Sequence, residues 1–208
     1  MGFTGFFLIL FLVFHASVNS LIFYNDQGAT FNKVAFFLSH NYLMRILEIG
    51  LFVGFFLHII QGLMLWSQNR KARGRVGYKK NRTSTNSKWY SRSMGLLGTF
   101  LLLFLIMHLA HFWLETKNAM YFQNDAPHDL FAEMKEVFSN PVIVALYLIG
   151  LMSLLFHLLH GFQSAFQTFG INHKRYTPFI KGLGVLYSFA VCILFAFMPL
   201  AVFLKWLD

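Results

Sequence analysis

The sequence predicts an all-α membrane protein whose five transmembrane helices form a bundle. Hydrophobic residues make up 57% of the 208 positions and charged residues only 12%, which is about half the charged share of a soluble domain. The apolar residues fall into five long runs separated by polar connections. The sequence lacks the alternating segments of about ten residues that a transmembrane β-barrel would need.

Five apolar stretches are each long enough to cross about 30 Å of hydrocarbon as a helix. They are predicted at residues 2–23, 42–66, 93–114, 140–169 and 179–207, within a single domain of residues 1–208. Their few charges lie toward the ends of the stretches, at Arg45, Glu48, Lys181 and Lys205. This placement is expected because a charge at the centre of a bilayer costs free energy.

The net charge of +9 is distributed unevenly along the chain. Connection 67–92 holds nine Lys and Arg residues and no acid, and connection 170–178 adds two more basic residues. Connections 24–41 and 115–139 carry three Lys and six acidic residues. Because basic loops stay in the cytoplasm, the N-terminus is predicted to be cytoplasmic and the C-terminus outside. The charge thus indicates topology rather than nucleic-acid binding, and the basic loop could also contact membrane lipid or a soluble partner.

Histidines lie well inside four of the five spans, and the fifth span has none. His15 is in the first, His58 in the second, His108 in the third and His157 in the fourth. An imidazole in hydrocarbon costs free energy unless it is bonded. A single buried histidine is more often a packing residue, but one from each of four helices indicates a shared ligand.

The positions of these histidines suggest two levels in the membrane. His15 and His108 each lie ten residues before an asparagine at a span end, and His58 and His157 each lie seventeen residues after one. At 1.5 Å per residue, these offsets correspond to about 15 Å and about 25 Å from the outer surface. The spacing therefore predicts two stacked bis-histidine sites.

Haem is the ligand that suits such sites best. A structural zinc ion needs four ligands, and a proton relay would use carboxylates, of which only Glu48 lies well inside a span. Two axial histidines fill both free positions of a haem iron and favour electron transfer. The single cysteine, Cys192, excludes a Cys-x-x-Cys-His attachment and a Cys-ligated cluster within the chain. Gly62 and Gly161 lie one turn beyond a histidine, where a bulky side chain would collide with a flat cofactor.

Two further histidines could replace their neighbours as ligands. His111 and His160 lie three residues after His108 and His157, on nearly the same helix faces. Depth favours His108 and His157. His160 is then expected to bond a haem propionate, and His111, nearer the outer surface, could meet a quinone.

Four stretches resemble the cytochrome b membrane-anchor subunits of succinate dehydrogenases and fumarate reductases, in their single-chain, five-helix, two-haem form. The stretches are TGFFLILFLVFHASVN (4–19), FFLHIIQGLMLW (55–66), GTFLLLFLIMHLAHFW (98–113) and LYLIGLMSLLFHLLHGFQSAFQTFG (146–170). The resemblance implies that His15 and His108 hold a distal haem b and that His58 and His157 hold a proximal haem b. This pairing agrees with the one reached from depth.

The resemblance also implies partners and a place in a bacterial inner membrane. A flavoprotein with covalent FAD and an iron–sulfur protein would dock on the cytoplasmic face, with connection 67–92 as part of the docking surface. The chain would then carry electron transfer and quinone chemistry, typically with menaquinone, while the flavoprotein holds the dicarboxylate site.

The candidate quinone residues lie near the outer ends of their helices and are Arg45, Glu48, Asn19 and His111. Arg45 and Glu48 are three residues apart on one helix, so an ion pair between them is the alternative interpretation. Some family members place a glutamate two residues before the fourth-helix ligand as part of a proton path, but that position is Leu155 here. No such path is predicted.

Two other classes of protein remain open at this point. One is the cytochrome b anchor of another oxidoreductase, such as a hydrogenase, a nitrate reductase or a formate dehydrogenase. The other is a haem-free transporter or scaffold with buried histidines. The order of the histidines, one in each of the first four helices, favours the succinate dehydrogenase type.

Overall fold

The computed structural model of the protein describes residues 1–24, 26–73, 89–122 and 128–207. Most of the basic connection 67–92 and part of connection 115–139 therefore lie outside the described residues, as does Asn25. The regular structure of the described residues is helical, with α1 Gly2–Asn19, α2 Ala29–His40, α3 Tyr42–Arg73, α4 Trp89–Arg92, α5 Met94–His108, α6 Glu115–Phe122, α7 Leu130–Ser139, α8 Pro141–Thr168 and α9 Thr177–Phe203. A 3₁₀ turn, Ser20–Phe23, continues α1, and a π-helical turn, Leu109–Leu114, joins α5 to α6.

Five helical segments are long and apolar enough to cross a membrane, which confirms the predicted number of spans. They are Gly2–Phe23, Tyr42–Ala72, Met94–Phe122, Pro141–Thr168 and Thr177–Phe203. The second and third segments continue beyond residues 66 and 114, where the apolar runs end. Good helix formers such as Gln, Arg and Lys follow in α3, and a loss of hydropathy does not end a helix.

Helix α8 lies at the centre of the bundle and packs against α1, α5 and α9. Its buried side chains include Val144, Leu151 and Leu158. Helix α3 packs against α1, α2 and α5 at the edge of the bundle, and it exposes large apolar side chains along its length, such as Val53 and Phe56. An apolar helix face that is not covered by protein suits contact with lipid.

Two amphipathic helices, α2 and α7, lie in the connections that the sequence suggested were merely polar. They pack against each other and sit at one end of the bundle, called here the α2–α7 end. Phe31 of α2 and Phe131, Met134 and Phe138 of α7 are buried in one hydrophobic cluster with Tyr147 of α8.

A hydrogen-bonded clamp joins the start of α7 to α2. Asn32 Nδ2 donates to Asp129 Oδ1 over 2.7 Å, and the Phe131 amide donates to Asn32 Oδ1 over 3.0 Å. Asp129 also caps α7 by accepting from the Ala132 amide over 2.9 Å. Gly28 precedes α2 with a φ of +79°, and a Cβ there would lie 2.3 Å from the Phe131 ring. The turn before α2 therefore tolerates only glycine.

We expect Asp129→Ala to loosen the α2–α7 end because it removes both the helix cap and the bond to Asn32. The free energy of unfolding should fall by about 1 kcal/mol, the usual cost of a lost N-cap. The Ala132 amide and the Asn32 side chain hold the pKa of Asp129 below its ordinary value. Its contribution is therefore complete above the ordinary carboxyl pKa and is lost as the pH falls through the lowered pKa.

Thermal unfolding of the purified protein in detergent, followed at neutral and acid pH, measures both effects. Asp129→Asn is the matched control, since asparagine caps a helix as well as aspartate does but carries no titrating group. A wild-type stability for Asp129→Ala at neutral pH would contradict this account of the clamp.

Candidate functional site

The structure brings His15 and His108 together between α1 and α5. Their ring centroids are 5.7 Å apart, and the ring planes are nearly perpendicular. Phe11 stacks on His15 with a centroid distance of 5.2 Å, and Phe104 stacks on His108 at 5.7 Å. Phe195 of α9 lies 5.5 Å from the His15 ring. This pair of imidazoles therefore has aromatic walls.

The structure also brings His58 of α3 and His157 of α8 together, with ring centroids 6.1 Å apart. The Thr4 hydroxyl lies 3.3 Å from His58 Nδ1. His157 Nδ1 is buried and has no hydrogen-bond partner in the described part of the chain, and the same is true of His108 Nδ1. Buried polar atoms without a partner are rare, so the packing of the described residues does not by itself satisfy these two imidazoles.

Both pairs join helices that otherwise make few contacts. Among the described residues, neither α1 with α5 nor α3 with α8 is a closely packed helix pair, whereas α8 packs extensively on α1 and α5. Each pair of imidazoles is thus a contact between two helices whose backbones are not closely packed. A flat apolar cofactor held between two helices needs such a separation, with aromatic or aliphatic walls.

The spacing of the rings fits two axial ligands on one metal ion. An imidazole nitrogen binds a first-row metal at about 2 Å, so two rings on opposite sides of the metal have centroids about 6 Å apart. The observed separations are 5.7 Å and 6.1 Å. In the described residues, no group of three or more His, Cys, Asp and Glu side chains could hold a metal ion. The residues present therefore fit haem better than a tetrahedral zinc ion.

His111 and His160, which follow the proposed ligands His108 and His157 by three residues, contact other partners. The π-helical turn after His108 is wider than an α-helical turn, and it turns His111 toward α8. His111 Nδ1 lies 3.1 Å from the Tyr147 hydroxyl, and the two rings stack with centroids 5.9 Å apart. His160 Nδ1 lies 2.8 Å from Ser91 Oγ, on the short helix α4. His108 and His157 therefore face an imidazole of another helix, whereas His111 and His160 each have a hydroxyl partner.

The candidate quinone residues do not share one set of contacts. Asn19 Nδ2 donates to the His15 carbonyl over 2.8 Å and lies 3.3 Å from His15 Nδ1. Glu48 Oε2 pairs with Lys117 Nζ over 2.9 Å, and Trp113 Nε1 donates to its other oxygen. Glu48 is thus paired with Lys117 rather than with Arg45, whose buried Nε has no hydrogen-bond partner in the described part of the chain.

Three polar residues at the site were missed by reasoning from the sequence: Thr4, Ser91 and Tyr147. Each places a hydroxyl within hydrogen-bond distance of a histidine in a span. A polar residue in an apolar stretch needs a partner, and that signal was available for Thr4 and Tyr147. It could not show which histidine each one meets.

The close approach at the site occurs at a different glycine from those expected. A Cβ at Gly161 would lie 3.9 Å from His157 Cδ2, which is ordinary contact, and one at Gly62 would lie 3.2 Å from Met1 Cε. A Cβ at Gly150 of α8 would lie 2.4 Å from Phe104 Cδ2. Gly150 therefore admits the Phe104 ring that stacks on His108.

A comparison with curated proteins finds one relative of the chain. The chain is 26% identical over 165 residues to the succinate dehydrogenase cytochrome b558 subunit of Bacillus subtilis (strain 168). The matched region covers 78% of this chain and 73% of that protein. No protein-family model and no solved structure matches the chain. The relative confirms the resemblance to the succinate dehydrogenase type of cytochrome b subunit and supports a membrane cytochrome b anchor.

The Glu48–Lys117 ion pair is expected to stabilise the contact between the second and third spans. Their side chains are 26% and 16% exposed, so Glu48→Gln or Lys117→Met leaves a partly buried group without its partner. Each single variant should lower the free energy of unfolding by about 1–2 kcal/mol.

A double-mutant cycle measures the interaction, and we expect a coupling free energy of about 1 kcal/mol. Lys181→Met is the matched control, since it makes the same change at an exposed lysine of α9. If the double variant loses the sum of the two single losses in free energy of unfolding, the ion pair contributes nothing to stability. Glu48 would then be free for another role.

Proposed function

We propose that this chain is the dihaem cytochrome b subunit that anchors a succinate dehydrogenase or fumarate reductase to the membrane. It passes electrons between the iron–sulfur subunit of that complex and a quinone, which the resemblance implies is menaquinone. The observation that carries the proposal is the pair of facing imidazoles at each of two places, 5.7 Å and 6.1 Å between ring centroids. The similarity to a cytochrome b558 subunit supports it.

Four histidines hold the two cofactors in this proposal. His15 and His108 bind the distal haem b, and His58 and His157 bind the proximal haem b. Each haem would supply a one-electron redox centre when bound. The chain's own residues orient the imidazoles, and the aromatic walls at Phe11, Phe104 and Phe195 exclude water.

The quinone site is assigned to the α2–α7 end of the bundle. His111 and the Tyr147 hydroxyl lie 3.1 Å apart there, and either can hydrogen-bond a quinone carbonyl oxygen or exchange a proton with it. Arg45 has a buried Nε without a partner in the described residues, which suits an acceptor oxygen. Asn19 and Glu48 have partners within the chain, so they would contact the quinone only by sharing those bonds.

The opposite end of the bundle is assigned to the cytoplasm and to the partner subunits. The last turns of α3 and the connection between α8 and α9 carry basic residues there, among them Arg70, Lys71, Lys174 and Arg175. His160 and Ser91 lie toward the same end and form a polar pair that can bond a propionate of the proximal haem. The basic surface would receive an iron–sulfur protein and, with it, a flavoprotein carrying FAD.

Replacing any one of the four ligands should remove one of the two haems. His15→Ala and His108→Ala should remove the same haem, and His58→Ala and His157→Ala the other, since a bis-histidine site loses most of its affinity without one ligand. Pyridine haemochrome assay gives the haem content per chain, and redox titration identifies which haem remains. His111→Ala is the matched control and should keep both haems. Unchanged haem content in all four ligand variants would overturn the proposal.

Purification of the chain from its native membrane should bring a flavoprotein with covalent FAD and an iron–sulfur protein with it. Covalent flavin is detected by its fluorescence in a denaturing gel, and clusters by electron paramagnetic resonance. The purified complex should reduce a quinone with succinate or oxidise a quinol with fumarate. Copurification with a hydrogenase, a nitrate reductase or a formate dehydrogenase would contradict the assigned partner while leaving the haem sites intact.

A further inference from the structure

We infer that Thr4 is a positioning residue for the proximal haem, because its hydroxyl fixes the tautomer of His58 and raises the basicity of that ligand. The inference rests on the proposed function. Thr4 is only 7% exposed although it lies in the first turn of α1. Its Oγ1 is 3.3 Å from His58 Nδ1, 3.0 Å from the Met1 carbonyl oxygen and 3.2 Å from Gln61 Oε1.

The count of hydrogens decides the direction of the bond to His58. A threonine hydroxyl has one hydrogen to donate and can accept through its lone pairs. The shortest of its three contacts is the one to the Met1 carbonyl oxygen at 3.0 Å, and a carbonyl oxygen can only accept, so the hydrogen is directed there. The hydroxyl oxygen therefore presents a lone pair to His58 Nδ1. Neutral His58 then carries its hydrogen on Nδ1 and a free lone pair on Nε2, which is the form that binds a metal ion.

The packing of the first turn of α1 holds the hydroxyl in this position. A Cβ at Gly5 would lie 3.7 Å from His58 Cε1, and a Cβ at Gly62 would lie 3.2 Å from Met1 Cε. The start of α1 thus rests directly on the face of α3 that carries His58. Thr4 can reach His58 because the residues beside it add no bulk at this contact.

The other three proposed ligands lack an equivalent bond in the described part of the chain. His108 Nδ1 and His157 Nδ1 are buried without a partner. His15 Nδ1 lies 3.3 Å from Asn19 Nδ2, a nitrogen that cannot accept and that donates to the His15 carbonyl over 2.8 Å. Among the four proposed ligands, only His58 therefore has a hydrogen-bond acceptor beside its Nδ1 in the described part of the chain. The effect of this bond should be confined to the haem that His58 binds. A hydrogen bond from Nδ1 raises the basicity of an imidazole ligand and favours the ferric state.

The test compares Thr4→Val, which keeps the shape and loses the hydroxyl, with Thr4→Ser, which keeps the hydroxyl. In the purified complex, Thr4→Val should raise the midpoint potential of one haem and leave the other unchanged. A tenfold change in the ferric-to-ferrous ratio corresponds to about 59 mV for one electron, and we expect a shift of this order. Thr4→Ser should keep the wild-type value. Thr99→Val is the matched control, since Thr99 is exposed and its hydroxyl donates only to the Gly95 carbonyl of its own helix.

The outcomes separate this inference from the proposed function. Loss of one haem in Thr4→Val but not in Thr4→Ser would also support it, because only the hydroxyl differs. Equal haem loss in both variants would overturn it, since packing and not the hydrogen bond would then be responsible. Wild-type potentials in Thr4→Val, with one haem missing from His58→Ala, would overturn the inference alone. Both haems retained in His58→Ala would overturn the proposed function.

Discussion

The structure depends on the cost of placing imidazoles inside an apolar bundle. Four helices each carry a histidine deep in a membrane-spanning segment, and a polar ring there is unfavourable unless another group binds it. The imidazoles lie in facing pairs, His15 with His108 and His58 with His157. Each pair brings together two helices that make few other contacts with each other. Among the described residues, the paired rings are therefore a direct contact between α1 and α5 and between α3 and α8, whose backbones are not closely packed.

The close packing of the bundle is centred on α8, not on the helices that share an imidazole pair. Helix α8 packs closely on α1, α5 and α9 and so holds the framework. Gly150 of α8 admits the ring of Phe104, which stacks on His108. The same framework leaves α3 at the edge, where its apolar side chains face outward. The helices of each imidazole pair are not packed closely against each other. This arrangement is compatible with a large flat ligand between them.

The two ends of the bundle are built differently. The α2–α7 end has two amphipathic helices over a hydrophobic cluster, clamped by Asn32 and Asp129. Tyr147 belongs to that cluster and lies within hydrogen-bond distance of His111, so this histidine–tyrosine pair is held beneath the clamp. The opposite end is basic and carries the contact between His160 and Ser91. A proposed quinone site at one end and a docking surface at the other follow from this asymmetry.

The sequence by itself determined the five spans and predicted the pairing of His15 with His108 and of His58 with His157, because hydropathy and spacing along a helix are local properties. It left open whether His108 or His111, and His157 or His160, faces the opposite helix. The tertiary structure decided this, since the answer depends on the rotation of each helix and on the π-helical turn after His108. The partner of Glu48, the packing of α2 against α7, and the hydroxyl of Thr4 beside His58 were likewise decided by tertiary structure. These features are contacts between segments far apart in the chain, and no local pattern encodes them.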